Sequence, residues 1–391
     1  MFAVTLASAA TLLVSIALAE TLLFLAVALW IVWRPRQLNV PTYFFPLIAF
    51  TIATVISLAA SPQPELGWGP VFKVILLPMG ILAATFVNTA WRARTSLAVL
   101  VALAAIASSI ALVQFGIAYV RFLSTHQIAD DPTMLARITG FMGHWMIFSG
   151  EQLLIWCAAV PALIVLGRRW TIPVSAVGAT LILSFTRSAW LGAFAGIAVV
   201  AFLLPRRVLI PIVLPLAIVG VAASGLIYHR VALSFASAQA GSDNGAGEGV
   251  TSRIKLWKAG VQMIHDHPLF GVGPQRIAVE FPKYYRGADI NTGFYSGHLE
   301  NNFIQIAAER GLLCLATFLW FLIELYVELI RLFKSADAGI RWVVLSALAA
   351  LTGFVVAGLG DFNFGHSQVF LLLLFIVSLP YGVIHDGVPA E

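Results

Sequence analysis

The sequence predicts an all-α polytopic membrane protein, and three observations predict it. Of 391 residues, 60% are hydrophobic and only 10% charged, against roughly 25% charged in a soluble domain. Mean hydropathy is +0.93. Apolar runs at 42–60, 95–118, 144–166, 207–227 and 311–330 approach or exceed the roughly 20 residues that cross a bilayer as a helix. These runs are long and end at Gly, Pro or Arg, whereas a β-barrel would show short alternating segments.

Taken in order, helices are expected near 3–18, 20–33, 42–60, 69–87, 95–118, 144–166, 170–185, 187–204, 207–227, 302–330, 339–358 and 367–384. That is about twelve transmembrane helices, unless 1–33 forms one long tilted helix. The opening stretch MFAVTLASAATLLVSIALAE lacks a basic start, which favours a first membrane helix over a cleaved signal. Three parts follow: N-terminal transmembrane helices over 1–227, a long and partly helical loop over 228–301 between helices 9 and 10, and C-terminal transmembrane helices over 302–391.

The basic residues orient this chain. With the N-terminus in the cytoplasm, Arg34, Arg36, Arg92, Arg94, Arg168, Arg169, Arg206, Arg207, Arg331, Lys334 and Arg341 all fall on inner connections. The short outer connections SPQPELGWGP (61–70) and GDFNFGHSQ (360–368) carry no Lys or Arg. This is the positive-inside pattern, and it explains the net charge of +5 without nucleic acid. The same map places His144, Arg187, Arg253, Arg276, His298 and Asp361 at the outer face, and makes 228–301 a periplasmic loop.

That loop opens on the Gly-rich GSDNGAGEG (241–249), a flexible composition. A helix is expected from about 253 to 266, capped by Thr251 or Ser252, with Ile254, Trp257, Val261 and Ile264 on its apolar stripe. Its Arg253, Lys255 and Lys258 suit a membrane surface. Trp257, Phe270, Phe281, Tyr284, Tyr285, Phe294 and Tyr295 are too many aromatics for a disordered segment.

The densest polar cluster is HLENNFIQIAAERGLL (298–313). As a helix from 298, it places His298, Asn302, Gln305 and Glu309 on one face. A histidine there can act as a base near neutral pH. Arg187, in LSFTRSAWLG, lies between two apolar runs, and Lys73 lies about one turn inside its helix. Charges so placed pair or bind something anionic, although Lys73 can also snorkel outward. Arginine suits phosphate because its planar fork gives two parallel hydrogen bonds. The ensemble points to chemistry on a phosphate-activated lipid. Cys157 and Cys314 lie in apolar spans and read as packing residues; no zinc spacing, phosphate-binding loop or serine elbow is present.

SFTRSAWLG (184–192), SRIKLWKAGVQMIHDHPLFGVGP (252–274) and HLENNFIQIAAERGLL (298–313), with RITGFMGHWMIFSGEQ (137–152) more weakly, resemble the signature regions of the bacterial O-antigen ligase superfamily. That family comprises lipopolysaccharide O-antigen ligases, related polysaccharide polymerases and some protein O-oligosaccharyltransferases. The resemblance implies a metal- and cofactor-independent glycosyltransferase of the bacterial inner membrane. It would take a glycan from undecaprenyl pyrophosphate at the periplasmic face and pass it to a lipid, glycan or protein acceptor. His298 would deprotonate the acceptor hydroxyl, Arg187 and Arg253 would hold the pyrophosphate, and Asn301 and Asn302 would orient His298 or the acceptor. Lys73, His144 and Arg276 would add to the binding surface. Relatives often read H-x-H-N, where this chain has Glu300 in place of the second histidine; if that second position is the essential one, Glu300 would have to serve as the catalytic base. A transporter of lipid-linked glycans is the competing reading; it would show broken helices in matching halves and polar groups near the midplane. An envelope-assembly scaffold is a third.

Overall fold

The structure is a computed structural model that describes residues 1–34, 37–133, 136–201, 250–285 and 297–385, with single positions between 210 and 228. Among the described residues every regular element is helical: α1 (Phe2–Thr11), α2 (Ile16–Trp33), α3 (Phe44–Ala59), α4 (Trp68–Phe72), α5 (Pro78–Phe86), α6 (Ala90–Thr125), α7 (Trp145–Leu166), α8 (Thr171–Leu183), α9 (Arg187–Ala201), α10 (Val250–Asp266), α11 (Ile277–Tyr284), α12 (Asn302–Ser335), α13 (Arg341–Ala357) and α14 (Ser367–His385). Six stretches are long and apolar enough to cross a membrane: 16–33, 64–86, 90–125, 145–166, 302–335 and 367–384. Helices α1, α3, α9 and α13 are apolar but shorter. The expected span 207–227, and the Gly-rich 241–249, lie almost wholly outside the described residues.

Local chemistry sets the breaks. Residues 1–33 divide at 12–15, where Ser15 accepts a hydrogen bond from Leu18 N and caps α2. The expected helix at 69–87 is interrupted. A 3₁₀ turn at Pro64–Gly67 precedes α4, and another at Lys73–Leu76 precedes α5. Pro70 and Pro78 lack the amide that a continuous helix needs.

The core centres on α13, which packs between α7 and α9, while α14 packs against α5 and α7. Small residues permit this. A Cβ on Gly196 would stand 2.5 Å from the Ala349 carbonyl, and Gly192 lies equally close to Gly353. Backbone approach of this kind drives helix association where lipid removes the hydrophobic incentive.

Helix α12 kinks sharply at Gly311, whose φ is 86° and ψ 171°. The kink is filled by the turn after α10. Leu312 N donates to Pro268 O at 2.8 Å, Val272 N to Ala308 O at 2.9 Å, and Gly273 N to Glu309 O at 2.9 Å. Ser57 Oγ of α3 donates to Phe270 O at 2.7 Å. The HPLFGVGP stretch is therefore a plug that satisfies backbone groups freed by the kink.

Helix α10 keeps half of its expected stripe: Trp257 and Ile264 pack against a small second core, while Ile254 and Val261 are exposed. Its fully buried side is Leu256, Ala259 and Met263. The expected cap residues, Thr251 and Ser252, lie inside the helix, which already includes Val250. The reason is Gly260, where a Cβ would meet Ile304 at 2.6 Å and Leu299 at 2.8 Å. That close approach turns α10 onto α12. Leu256, Ala259, Met263, Val272, Ile277, Phe281, Leu299 and Ala308 form a small second core, so the described part of the long loop is a packed cap. Phe294 and Tyr295 lie outside the described residues.

The bundle has two chemically distinct ends. Arg34, Arg92, Arg94, Arg168, Arg169, Lys334 and Arg341 flank the helix ends remote from the cap. Phe2 lies there too, 5.2 Å beneath the Arg92 guanidinium. His144, Arg187, Arg253, Arg276 and His298 lie at the other end, with the 358–366 turn.

Candidate active site

His298 lines a cavity of about 350 Å³ between α3, the broken 64–77 segment, α12 and the 362–371 turn. One side is apolar, with Leu47, Phe50, Leu77, Phe364 and Phe370; the other presents Lys73, Gln275, Gln305, Glu309 and Arg310 beside His298.

His298 itself is not helical. Helix α12 starts at Asn302, so the expected helical face beginning at His298 starts one turn later. The reason is the cap. Asn301 Oδ1 accepts from Phe303 N (2.9 Å) and Ile304 N (3.0 Å), ending the helix there. Glu300, just before it, sits in the left-handed region at φ 51°. One buried amide fixes the turn: Gln305 Oε1 accepts from Leu299 N at 2.7 Å, and its Nε2 donates to Gly297 O at 3.1 Å and Glu309 Oε2 at 2.6 Å. His298 lies between the two tethered backbone groups and is thereby held on the cavity wall. Glu309 accepts from Gln275 N and Arg310 Nε through Oε1, each at 3.2 Å, so its carboxylate, 4% exposed, is well satisfied.

The asparagines serve the neighbouring turn. Asn301 Nδ2 donates to Leu359 O at 2.9 Å. Asn302 Nδ2 donates to Asn363 Oδ1 at 2.6 Å, and its Oδ1 accepts from Phe364 N at 3.1 Å. Lys73 Nζ donates to Gly365 O at 2.7 Å. It therefore turns to the cavity and the 363–365 turn rather than snorkelling away.

Electrostatics favour a neutral imidazole. Burial lowers the His298 pKa below its ordinary value; the Glu309 carboxylate opposes this, while Lys73 and His144 reinforce it. His366, which the sequence reading overlooked, is pushed down to about 3 by burial and by His298, His144 and Lys73. His144 caps α7, its Nδ1 accepting from Met146 N at 3.2 Å, and stacks on Trp145. Three histidines and a lysine thus share one polar region.

Arg253 lies elsewhere on the same turn. Arg253 Nη1 lies 3.6 Å, and Ser188 Cβ 3.3 Å, from where a Cβ on Gly360 would stand. Arg187 is the first residue of α9, beside Ser188. Arg253 therefore approaches Gly360, two residues from Phe362, whose ring is 5.4 Å from that of His298. Buried Asp361 lies between.

Arg276 is differently occupied. Its Nη1 donates to Val272 O at 2.8 Å, Nη2 to Glu280 Oε1 at 2.6 Å and Nε to Gln63 Oε1 at 3.3 Å. Each side-chain nitrogen makes one hydrogen bond, two of them within the cap and one to Gln63.

Arg310, 7% exposed and lying over the Phe50 ring, is a cavity cation that sequence reasoning missed. Its signal was the Glu-Arg-Gly triplet: an ion pair directly before a kinking glycine. Among the described residues no group of three or more His, Cys, Asp or Glu is arranged to hold a metal ion.

A search of curated proteins returns no match. Residues 172–319 match the family model described as O-Antigen ligase. The matched segment runs from α8 past the Gly311 kink and contains Arg187, Arg253, His298 and the plug between them. Over residues 172–319 the chain is therefore similar to the O-antigen ligase family, the one whose signature regions its sequence resembles.

Proposed function

We propose that the protein transfers a glycan from a polyprenyl pyrophosphate donor to an acceptor hydroxyl at the periplasmic face of the bacterial inner membrane. The observation that carries this reading is His298, held on the wall of a half-apolar, half-cationic cavity and kept neutral by burial. A neutral imidazole can accept a proton. In the proposed step it takes the acceptor O–H proton as that oxygen attacks the anomeric carbon. The bond from that carbon to the phosphate oxygen breaks, and polyprenyl pyrophosphate leaves with the electron pair.

Arg253, at Gly360, and Arg187, at the start of α9, would hold the pyrophosphate and stabilise the charge that develops on it. Lys73 and Arg310 would extend the cationic surface into the cavity. Asn301, Asn302 and His144 are positioning residues in this scheme, and Arg276 holds the cap. Glu300, fixed at φ 51° beside the cap, would tune acceptor approach rather than replace the base. Lipid, glycan and protein acceptors all offer the required hydroxyl.

The test is reconstitution of the purified chain with a lipid-linked glycan and candidate acceptors, with products followed by mass. His298→Ala is expected to lower transfer by roughly 10²–10⁴-fold while the protein still inserts and stays monodisperse. Undiminished transfer by that variant would overturn the assignment.

A further inference from the structure

We propose that the end of the bundle remote from His298 carries a binding site for an anionic phospholipid. A cavity of about 260 Å³ opens between the first turns of α6 and the connection from α7 to α8. Arg94 and Arg169 stand on it, with Trp91 and Trp170 beside them and Ala98 and Ala102 along its wall. It lies at the far end of α7, whose 22 residues span about 33 Å from the His144 end. It is therefore separate from the candidate active site.

Charge is the first argument. Arg94 comes from α6 and Arg169 from the α7–α8 connection to one cavity; both are exposed and have no acidic partner among the described residues. Three of their neighbours at this end are engaged. Arg92 Nη1 donates to Asn88 Oδ1 and Phe86 O, Arg331 pairs with Glu328, and Arg341 donates to Ala336 O. Two unsatisfied guanidinium forks facing one concavity suit a phosphate group.

Order along the membrane normal is the second argument. Trp91, 65% exposed, and Trp170 mark the depth at which amphipathic rings settle between headgroups and chains. Ala98 and Ala102 follow Arg94 at intervals of one turn, each step about 6 Å deeper. Their short side chains leave a groove in which an acyl chain can lie while its phosphate meets the arginines. A basic pocket between membrane helices with an apolar floor takes a lipid headgroup, whereas a free anion would use only its rim.

The experiment is a binding titration of the full chain in neutral detergent, read by native mass spectrometry. The probes are phosphatidylglycerol, phosphatidylcholine and soluble glycerol phosphate. Phosphatidylglycerol is expected to bind in preference to both others. Arg94→Gln and Arg169→Gln should each weaken it about five-fold, the effect of removing one charge near a headgroup. Arg168→Gln removes a charge from the same turn but outside the cavity, and should leave affinity nearly unchanged. Ala102→Trp, which fills the groove and keeps both arginines, should abolish binding; it stands as the deciding variant if either charge change misfolds. Equal binding of phosphatidylcholine, equal binding of glycerol phosphate, or an Arg168→Gln loss matching Arg169→Gln would each overturn the site.

Discussion

His298 depends on Gln305, a residue that never has to touch substrate. The Gln305 amide holds the backbone on both sides of the histidine and leans on Glu309. Gln305→Leu should therefore leave the fold and the donor KM close to normal but cut turnover. A displacement of about 1 Å at a reacting group costs on the order of 10²-fold. Steady-state kinetics of the reconstituted variant separate the two parameters, and a rise in KM alone would assign Gln305 to binding.

Burial also fixes a pH signature. With its pKa below the ordinary histidine value, His298 stays in the base form through mildly acidic pH. Transfer should hold down to pH 6.5 and fall only below it; an acidic limb centred above 6.5 in the pH–rate profile contradicts the proposal. His366 gives a stability signature of the same sign. Below its ordinary value of 6.5 the unfolded chain takes up a proton that the folded site resists down to about 3. Stability from this group is complete above 6.5 and is lost as pH falls through that window. Thermal unfolding of wild type should weaken more steeply across it than that of His366→Phe.

At the scale of elements, the site depends on a break. Gly311 bends α12, and the plug from 268 to 273 fills the bend and carries Gln275 to Glu309. A Cβ at Gly311 would meet the Leu269 carbonyl at a φ of 86° that side chains rarely adopt. Gly311→Ala should destabilise the protein by at least about 2 kcal/mol, read as a lowered melting temperature in detergent. Gly339→Ala, with open space around it, should be close to neutral. The helical period was legible here, but the kink was not. A glycine in an apolar run looks tolerated until the partner that fills its bend is known, and that partner is a loop some forty residues earlier in sequence. The α10 stripe held only in part for a related reason. Hydrophobicity selected Ile254 and Val261 along with Trp257 and Ile264, which do pack inward, whereas Gly260 and Ala259 decided which face could approach α12.

At the scale of the molecule, basic residues are segregated from the histidine end, and the proposed orientation puts the histidine end in the periplasm. Single cysteines replacing Thr125, near the site end of α6, and Ser335, at the remote end of α12, test it directly. Native Cys157 and Cys314 are buried and should not interfere. An impermeant maleimide added from the periplasmic side should label the first and spare the second; the reverse would invert the orientation.

Composition and period were enough to determine an all-helical membrane protein, because long apolar stretches between basic loops have few other stable forms. The same sequence marked His298, Arg187 and Arg253, since polar groups beside apolar spans stand out. It could not show that Lys73, Glu309, Arg310 and His366 share a region with His298, or that Arg276 pairs with Glu280. Those outcomes are pairings between residues distant in sequence, created only when α12 bends and the cap closes over it. Tertiary structure decided them because a polar side chain's function rests on which partner uses its hydrogen-bonding edge, and spacing along one helix does not name that partner.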